Sequence, residues 1–201
     1  ILAAERDVEG WTALHEAAAW GHDGIAQTLL TVAPSAIISA RAKPNSTPLH
    51  IATTYRRASL VELPLAAGAP ADARDCTGEM PIHIAARICA GNDLIAIHIL
   101  QLLLEADPVT AWAHTSGGAP LQILLSRMAL IPPWHTRKFD SAHCMLGFEA
   151  ARLLLHTATA LTAQQALQSL AQMVAVGNGQ HAAGLYCELV CHVPLCSAEW
   201  H

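Results

Sequence analysis

Thr47-Pro48-Leu49-His50 is the stretch that decides the fold, because variants of it recur along the chain. The variants are Thr12-Ala13-Leu14-His15, Met80-Pro81-Ile82-His83 and the degenerate Ala119-Pro120-Leu121-Gln122. Counted at the histidine or its replacement, the successive steps are 35, 33 and 39 residues. A motif that returns at a nearly fixed interval of this length is typical of a repeat protein, in which each unit packs on its neighbours.

The residue types of each motif favour the start of a helix. Proline is tolerated in the first helical turn, since its missing N–H would have no intrahelical partner there, and a preceding threonine can cap the helix. Alanine pairs such as Ala17-Ala18 and Ala85-Ala86 follow the motifs. These small side chains let adjacent helices approach closely, so the motifs predict thin, tightly stacked layers.

The motif and the residues after it resemble the ankyrin-repeat family, whose T-P-L-H-x-A signature opens a helical unit with a period of about 33 residues. The second repeat ends in Ala67-Gly68-Ala69 and Asp72-Ala73-Arg74-Asp75, which is similar to the turn of that family, although Arg56-Arg57 replaces the usual Gly-His. The resemblance implies an all-α fold: an ankyrin-repeat solenoid of stacked helix–turn–helix units joined by β-turns. It also implies that His15, His50 and His83 form hydrogen bonds that tie neighbouring turns together.

A single ankyrin-repeat domain is expected over residues 1–201. Its expected units are four repeats and a degenerate C-terminal cap, at 9–43, 44–76, 77–115, 116–161 and 162–201. The third repeat exceeds the pattern by about two helical turns, which predicts longer helices or a bulged connection. The fourth carries a long insertion at 128–147. The first residues resemble the tail of a preceding repeat, so the chain is expected to be a fragment of a longer one.

Composition limits the function classes. With 53% hydrophobic and 13% charged residues, the chain is too apolar for disorder. A net charge of −5 argues against binding to nucleic acid, which needs a basic surface. No apolar run approaches the roughly 18 to 20 residues that span a bilayer, so membrane insertion is not expected. Six cysteines are too few for a disulfide-stapled secreted domain, which favours an intracellular, cytoplasmic location, although a truncated N-terminus leaves an organelle open.

Chemistry-bearing motifs give little support for an enzyme. Cys187, Cys191, His192 and Cys196 cluster near the C-terminus, but their spacing suits a helix face better than a zinc site. Asp140, Ser141 and His143 are adjacent in sequence, which does not supply the geometry of a catalytic triad. The prediction is therefore no catalytic residue, no metal site and no cofactor.

A protein partner is expected instead, on the concave surface formed by turn tips and by exposed positions late in each first helix. Carried over from the family, the expected binding residues are Trp11, Trp20, Ser46, Tyr55, Glu79, Arg87, Ile88, Arg127 and, in the insertion, Trp134. Aromatic residues and arginine are frequent anchors of interfaces. A competing interpretation is that Trp11 and Trp20 pack against a neighbouring repeat or against a missing N-terminal repeat.

The leading hypothesis is a non-enzymatic protein–protein interaction module. Two alternatives remain open at this point: an architectural subunit of a large multiprotein assembly, with the insertion as a docking arm, and the regulatory ankyrin region of a larger enzyme or channel. The sequence does not identify the partner, because specificity lies in surface residues rather than in the fold.

Overall fold

The computed structural model describes residues 4–89, 93–129 and 149–154, and these residues are predominantly helical. The helices come in pairs, each pair starting at one of the recurring motifs. In chain order they are α1 (Ala13–Trp20), α2 (Asp23–Val32), the short α3 (Pro34–Ile37), α4 (Pro48–Thr54), α5 (Ala58–Ala66), α6 (Pro81–Cys89), α7 (Leu94–Ala106), a 3-10 helix (Pro108–Trp112) and α8 (Pro120–Ala129). The prediction of an all-α repeat fold is confirmed.

The helices form two layers. The first helices of successive repeats pack side by side in the order α1, α4, α6 and α8, and the second helices α2, α5 and α7 pack in the same order behind them. Helices α1, α4 and α6 also pack on their own second helices α2, α5 and α7. The motif therefore determines not only where a helix begins but also which layer it joins.

Small side chains fill the contact between first helices. The second and third residues after the motif histidine are Ala17-Ala18 in α1, Ala52-Thr53 in α4 and Ala85-Ala86 in α6, and all of them are buried. The fourth repeat has Leu124-Leu125 at these positions, also buried. The close packing expected from the alanine pairs is thus present in three repeats, and the fourth fills the same layer with larger side chains.

Left-handed residues occur at matching points of successive repeats. Five residues before each motif histidine, Gly10, Asn45 and Gly78 have φ angles of +79°, +71° and +79°. Glycine adopts this conformation freely and asparagine tolerates it, so the turn can reverse there at little cost. Between the paired helices, Gly21 has φ +81° and Arg56 has φ +57°. The Cβ of an arginine makes this left-handed conformation unfavourable, so the backbone of the second repeat is strained at Arg56.

The second helix of the third repeat is the longest of the second helices that the structure describes, so it takes up part of the extra residues of that repeat. Helix α7 has 13 residues, compared with 10 in α2 and 9 in α5. Asp93 caps it, accepting a hydrogen bond from the Ile95 N–H at 2.9 Å. In the fourth repeat, residues 149–154, which follow the 128–147 insertion, are helical.

Several predictions lie outside the described residues. These are most of the 128–147 insertion with Trp134, the C-terminal cap at 162–201, and the tail cysteines. Within the described ranges, no helix is both long and apolar enough to cross a membrane.

Candidate protein-binding surface

The three motif histidines make the same pair of hydrogen bonds. The Nδ1 atoms of His15, His50 and His83 accept from the backbone N–H three residues earlier, at 3.1, 3.2 and 3.2 Å. Because an N–H can only donate, Nδ1 must be unprotonated. The proton of the neutral ring therefore lies on Nε2.

That Nε2 reaches the next repeat. His15 donates to the carbonyl of Ser46 at 3.1 Å, His50 to that of Glu79 at 3.1 Å and His83 to that of Ala113 at 2.8 Å. Each imidazole thus fixes the start of its own helix and holds the following turn. The prediction that these histidines tie neighbouring turns together is confirmed. Both ring nitrogens of each histidine are used in hydrogen bonds that hold the repeats together.

Burial sets the charge state of these rings. Desolvation is the largest influence on His15, His50 and His83 and lowers the pKa of each below 6.5, although the carbonyl of the next repeat acts in the opposite direction. The neutral form that the lowered pKa favours is also the form that the hydrogen bonds require.

Gln122 takes the histidine position in the fourth repeat. Its Oε1 accepts from the Ala119 N–H at 3.0 Å, which reproduces the bond that Nδ1 makes in the other repeats. An amide oxygen can therefore replace the imidazole nitrogen as the acceptor at the helix start, without a titratable group.

Arginines form a second set of links between repeats. Arg6, Arg41 and Arg74 each lie nine residues before a motif histidine. Their Nη1 atoms donate to backbone carbonyls of the next repeat: Arg6 to Arg41 at 2.9 Å, Arg41 to Arg74 at 2.6 Å and Arg74 to His114 at 3.2 Å. We call these three residues the arginine ladder. Our sequence reasoning missed it, although the spacing of 35 and 33 residues is the same as that of the histidines.

Two aspartates organise the turns beside the ladder. Asp7 Oδ1 accepts from the N–H groups of Glu9 and Trp11 at 2.9 and 2.7 Å. Asp75 Oδ1 accepts in the same way from Thr77 and Glu79 at 2.8 and 2.9 Å. Partial burial would raise the pKa of Asp75, but the hydrogen bonds from Thr77 and Glu79 outweigh it and the pKa is lowered.

Of the nine expected binding residues, the structure describes eight, and four of these contribute to such structural contacts. Four residues before each histidine lie Trp11, Ser46 and Glu79, all half-buried. The Trp11 ring lies 6.0 Å from the His15 ring, and the Ser46 and Glu79 carbonyls accept the histidine bonds. The Glu79 carboxylate also holds Arg87 in a bidentate ion pair, one branch of which measures 2.9 Å.

The other expected residues share a different position, five residues after the histidine or its replacement. Trp20 is 69% exposed and Tyr55 is 51% exposed. Ile88 is half-buried and packs against the core, whereas Arg127 is exposed. We call these four residues the outer row. Its members lie at the ends of the first helices, one per repeat.

Trp20 is held in place without being buried. Its Nε1 donates to Glu16 Oε2 at 2.9 Å, one helical turn earlier on α1. Within the described residues, the Tyr55 side chain makes no hydrogen bond. The structure therefore presents two large aromatic side chains from adjacent repeats to the solvent. No neighbouring repeat among the described residues buries Trp20, and packing of Trp20 on a repeat outside them stays a competing interpretation.

Metal-binding chemistry was also considered. Among the described residues, no group of three or more histidine, cysteine, aspartate or glutamate side chains could hold an ion. The tail cluster lies outside them, so the prediction of no metal there stays a prediction.

Comparison with known proteins agrees with this architecture. The family model described as ankyrin repeat matches residues 9–43, which contain α1 and α2. The chain is also 32% identical over 127 residues to the nuclear factor NF-kappa-B p105 subunit of Gallus gallus. That similarity covers 61% of this chain but only 12% of the relative. Residues 9–43 therefore match the ankyrin repeat, and the repeated helix pairs and histidine links of the described residues have the ankyrin-repeat fold.

Proposed function

We propose that this chain is a non-enzymatic module that binds a partner protein through the concave face, with Trp20 and Tyr55 of the outer row as its anchors. Ankyrin repeats are in general protein–protein interaction modules. The observation that carries the proposal is the exposure of these two aromatic side chains, 69% and 51%, at equivalent positions of adjacent repeats.

Large exposed aromatic side chains are costly unless they are covered by a partner, and they supply contact area at a small entropic cost. The other candidate positions are less available. Trp11 contacts the ring of His15, and Arg87 is paired with Glu79. Arg127, the charged residue of the outer row, extends the proposed surface to the fourth repeat and adds a cationic contact.

The test is a comparison of captured proteins by quantitative mass spectrometry. The bait is the full chain, immobilised as wild type, as the double variant Trp20→Ala/Tyr55→Ala, or as Val32→Ala. Val32 is a matched control because it is 69% exposed but lies at the end of α2, outside the outer row. A partner should be lost from the double variant and retained by the control.

The affinity of that partner then gives the magnitude. Truncation of an interface anchor typically costs about 2 kcal/mol, or roughly 30-fold in Kd. Circular dichroism must show that the variants remain folded. Equal affinity of the wild type and the folded double variant would refute the role of the outer row.

A second candidate is an architectural subunit of a larger assembly. It is favoured by the similarity of the chain to the chicken nuclear factor NF-kappa-B p105 subunit, whose name describes it as a subunit. An architectural role predicts contacts on several faces, so Val32→Ala would then weaken association as much as the outer-row variant does.

A further inference from the structure

The turn between α4 and α5 carries a charge pattern that the repeat fold does not require. Arg56-Arg57-Ala58-Ser59-Leu60 places two guanidinium groups three and two residues before a hydroxyl, with an aliphatic residue after it. Protein kinases choose substrates partly by such charge patterns, and basic residues before the acceptor suit kinases with an acidic substrate groove. We propose that Ser59 is a phosphorylation site for a serine kinase of this basophilic class.

The acceptor hydroxyl is available. Ser59 is exposed, and within the described ranges its side chain makes no hydrogen bond. Other hydroxyls near it are occupied: Thr53 Oγ1 donates to the Leu49 carbonyl at 2.8 Å and Thr54 Oγ1 to the His50 carbonyl at 2.9 Å. The recognition groups are available too, since the Arg56 side chain is 57% exposed and Arg57 is exposed.

A kinase needs the segment in an extended form, so the first turn of α5 must open. The cost lies mainly in Leu60, which is fully buried. Two features limit the rest of the cost: the opening involves one helix end rather than the whole repeat, and it starts beside Arg56, which is held at φ +57°. Helix ends open with a smaller free energy than the complete fold. Modification can therefore accumulate from a minor open population.

The reaction balances without any group supplied by this chain beyond the serine. Ser59 Oγ attacks the γ-phosphorus of magnesium-bound ATP, and the bond from that phosphorus to the ADP oxygen breaks. The hydroxyl proton passes to the catalytic aspartate of the kinase. The products are phosphoserine and ADP.

A phosphate on Ser59 would lie in a favourable electrostatic position. Ser59 is the second residue of α5, so the added charge of about −1.5 to −2 lies at the positive end of the helix dipole. The same charge lies three residues from Arg56, whose Nη1 pairs with Asp93 Oδ2 at 3.0 Å at the start of α7. It also lies four residues from Tyr55. If the proposed function is correct, phosphorylation changes the charge beside an anchor of the partner surface.

The experiment uses the full chain with magnesium-ATP and the catalytic subunit of cyclic-AMP-dependent protein kinase as the probe. Tandem mass spectrometry should locate phosphate on Ser59, and Ser59→Ala should remove it. The variant Arg56→Gln/Arg57→Gln, shown by circular dichroism to be folded, should lower the rate at least ~10-fold.

Two controls make the result decisive. The first is Ser141, which has Lys138 three residues before it and serves as an internal competitor; phosphate on Ser141 without phosphate on Ser59 would overturn the proposal. The second is a synthetic peptide of residues 53–63. If the peptide is modified and the folded chain is not, the fold hides the serine and the proposal fails. Neither readout depends on a partner protein, so failure here leaves the proposed binding function unaffected.

Discussion

Acidification should unfold this protein through its three buried histidines. In the folded chain the pKa values of His15, His50 and His83 are lowered from 6.5. The unfolded chain therefore takes up protons below about pH 6.5 that the folded chain refuses. Above pH 7 the titration of these residues should not change the free energy of unfolding. Below pH 6.5 the free energy of unfolding should fall as the pH drops.

The magnitude follows from the number of protons. Each proton bound only by the unfolded state changes the free energy of unfolding by about 1.4 kcal/mol per pH unit. Three such groups give a maximum slope of about 4 kcal/mol per pH unit between pH 6.5 and the folded pKa values. Domains are typically stable by only about 5 to 15 kcal/mol, so a change of this size consumes a large part of the total. Asp75 adds little in this window, because its pKa in the folded chain is lowered from the usual 3.8.

Urea denaturation followed by far-UV circular dichroism at pH 7.5, 6.5, 6.0 and 5.5 would measure the slope. The informative variant is His50→Gln, which copies the arrangement of Gln122 and should reduce the maximum slope by about one third. His98→Gln is the matched control, since His98 is exposed on α7. If the free energy of unfolding stays constant from pH 7.5 to 5.5, or if His98→Gln reduces the slope as much as His50→Gln does, the reasoning is wrong.

Three further predictions concern single contacts. Gly21→Ala should lower the free energy of unfolding by about 1 to 2 kcal/mol, because Gly21 has φ +81° and a Cβ there would lie 3.1 Å from the Arg57 guanidinium. Gly24→Ala is the control: Gly24 lies inside α2 with open space around it, so this substitution should raise the free energy of unfolding by about 0.5 to 1 kcal/mol in the same urea assay. Arg41→Ala should lower the free energy of unfolding by about 1 kcal/mol, because it breaks one hydrogen bond of the arginine ladder. The control Arg127→Ala should leave the free energy of unfolding unchanged, and an equal loss in both variants would contradict a stabilising role for the ladder. Cys76 should be alkylated well before Cys89, because Cys89 is buried and desolvation raises its pKa to about 12; mass spectrometry of a timed labelling reaction would detect the reverse order.

The fold could be predicted from the sequence because one physical requirement is repeated. In each unit the chain must start a helix, bury a face of small residues and reverse its direction. The motif Thr47-Pro48-Leu49-His50 contains the residues that start the helix, and variants of it recur along the chain. The extra length of the third repeat was also visible, but the sequence could not decide between longer helices and a bulge. The structure places much of it in the 13 residues of α7, where apolar residues continue the buried face.

The surface was harder to predict, because two side chains that are both expected to be exposed can be used in different ways. Trp11 and Trp20 both looked like exposed anchors, yet Trp11 is half-buried beside the ring of His15 and Trp20 is exposed. The difference follows from their places in the repeat: Trp11 lies before α1, where its ring reaches the ring of His15, whereas Trp20 is the last residue of α1. The arginine ladder was missed for another reason: an arginine that bonds a carbonyl about 33 residues away has no local signature, and only its spacing could have revealed it.

A comparison of equivalent positions in the repeats supports the proposal that the outer row binds a partner. Nine residues before the histidine, three repeats have arginine because that side chain must reach a carbonyl in the next repeat. At the histidine position, even the fourth repeat keeps an acceptor, Gln122, for the N–H at the helix start. The outer row carries no such link in Trp20 or Tyr55, and its four members have different side chains. A position that contributes no contact between repeats can change without loosening the stack, so partner specificity can be built there at little cost to the fold.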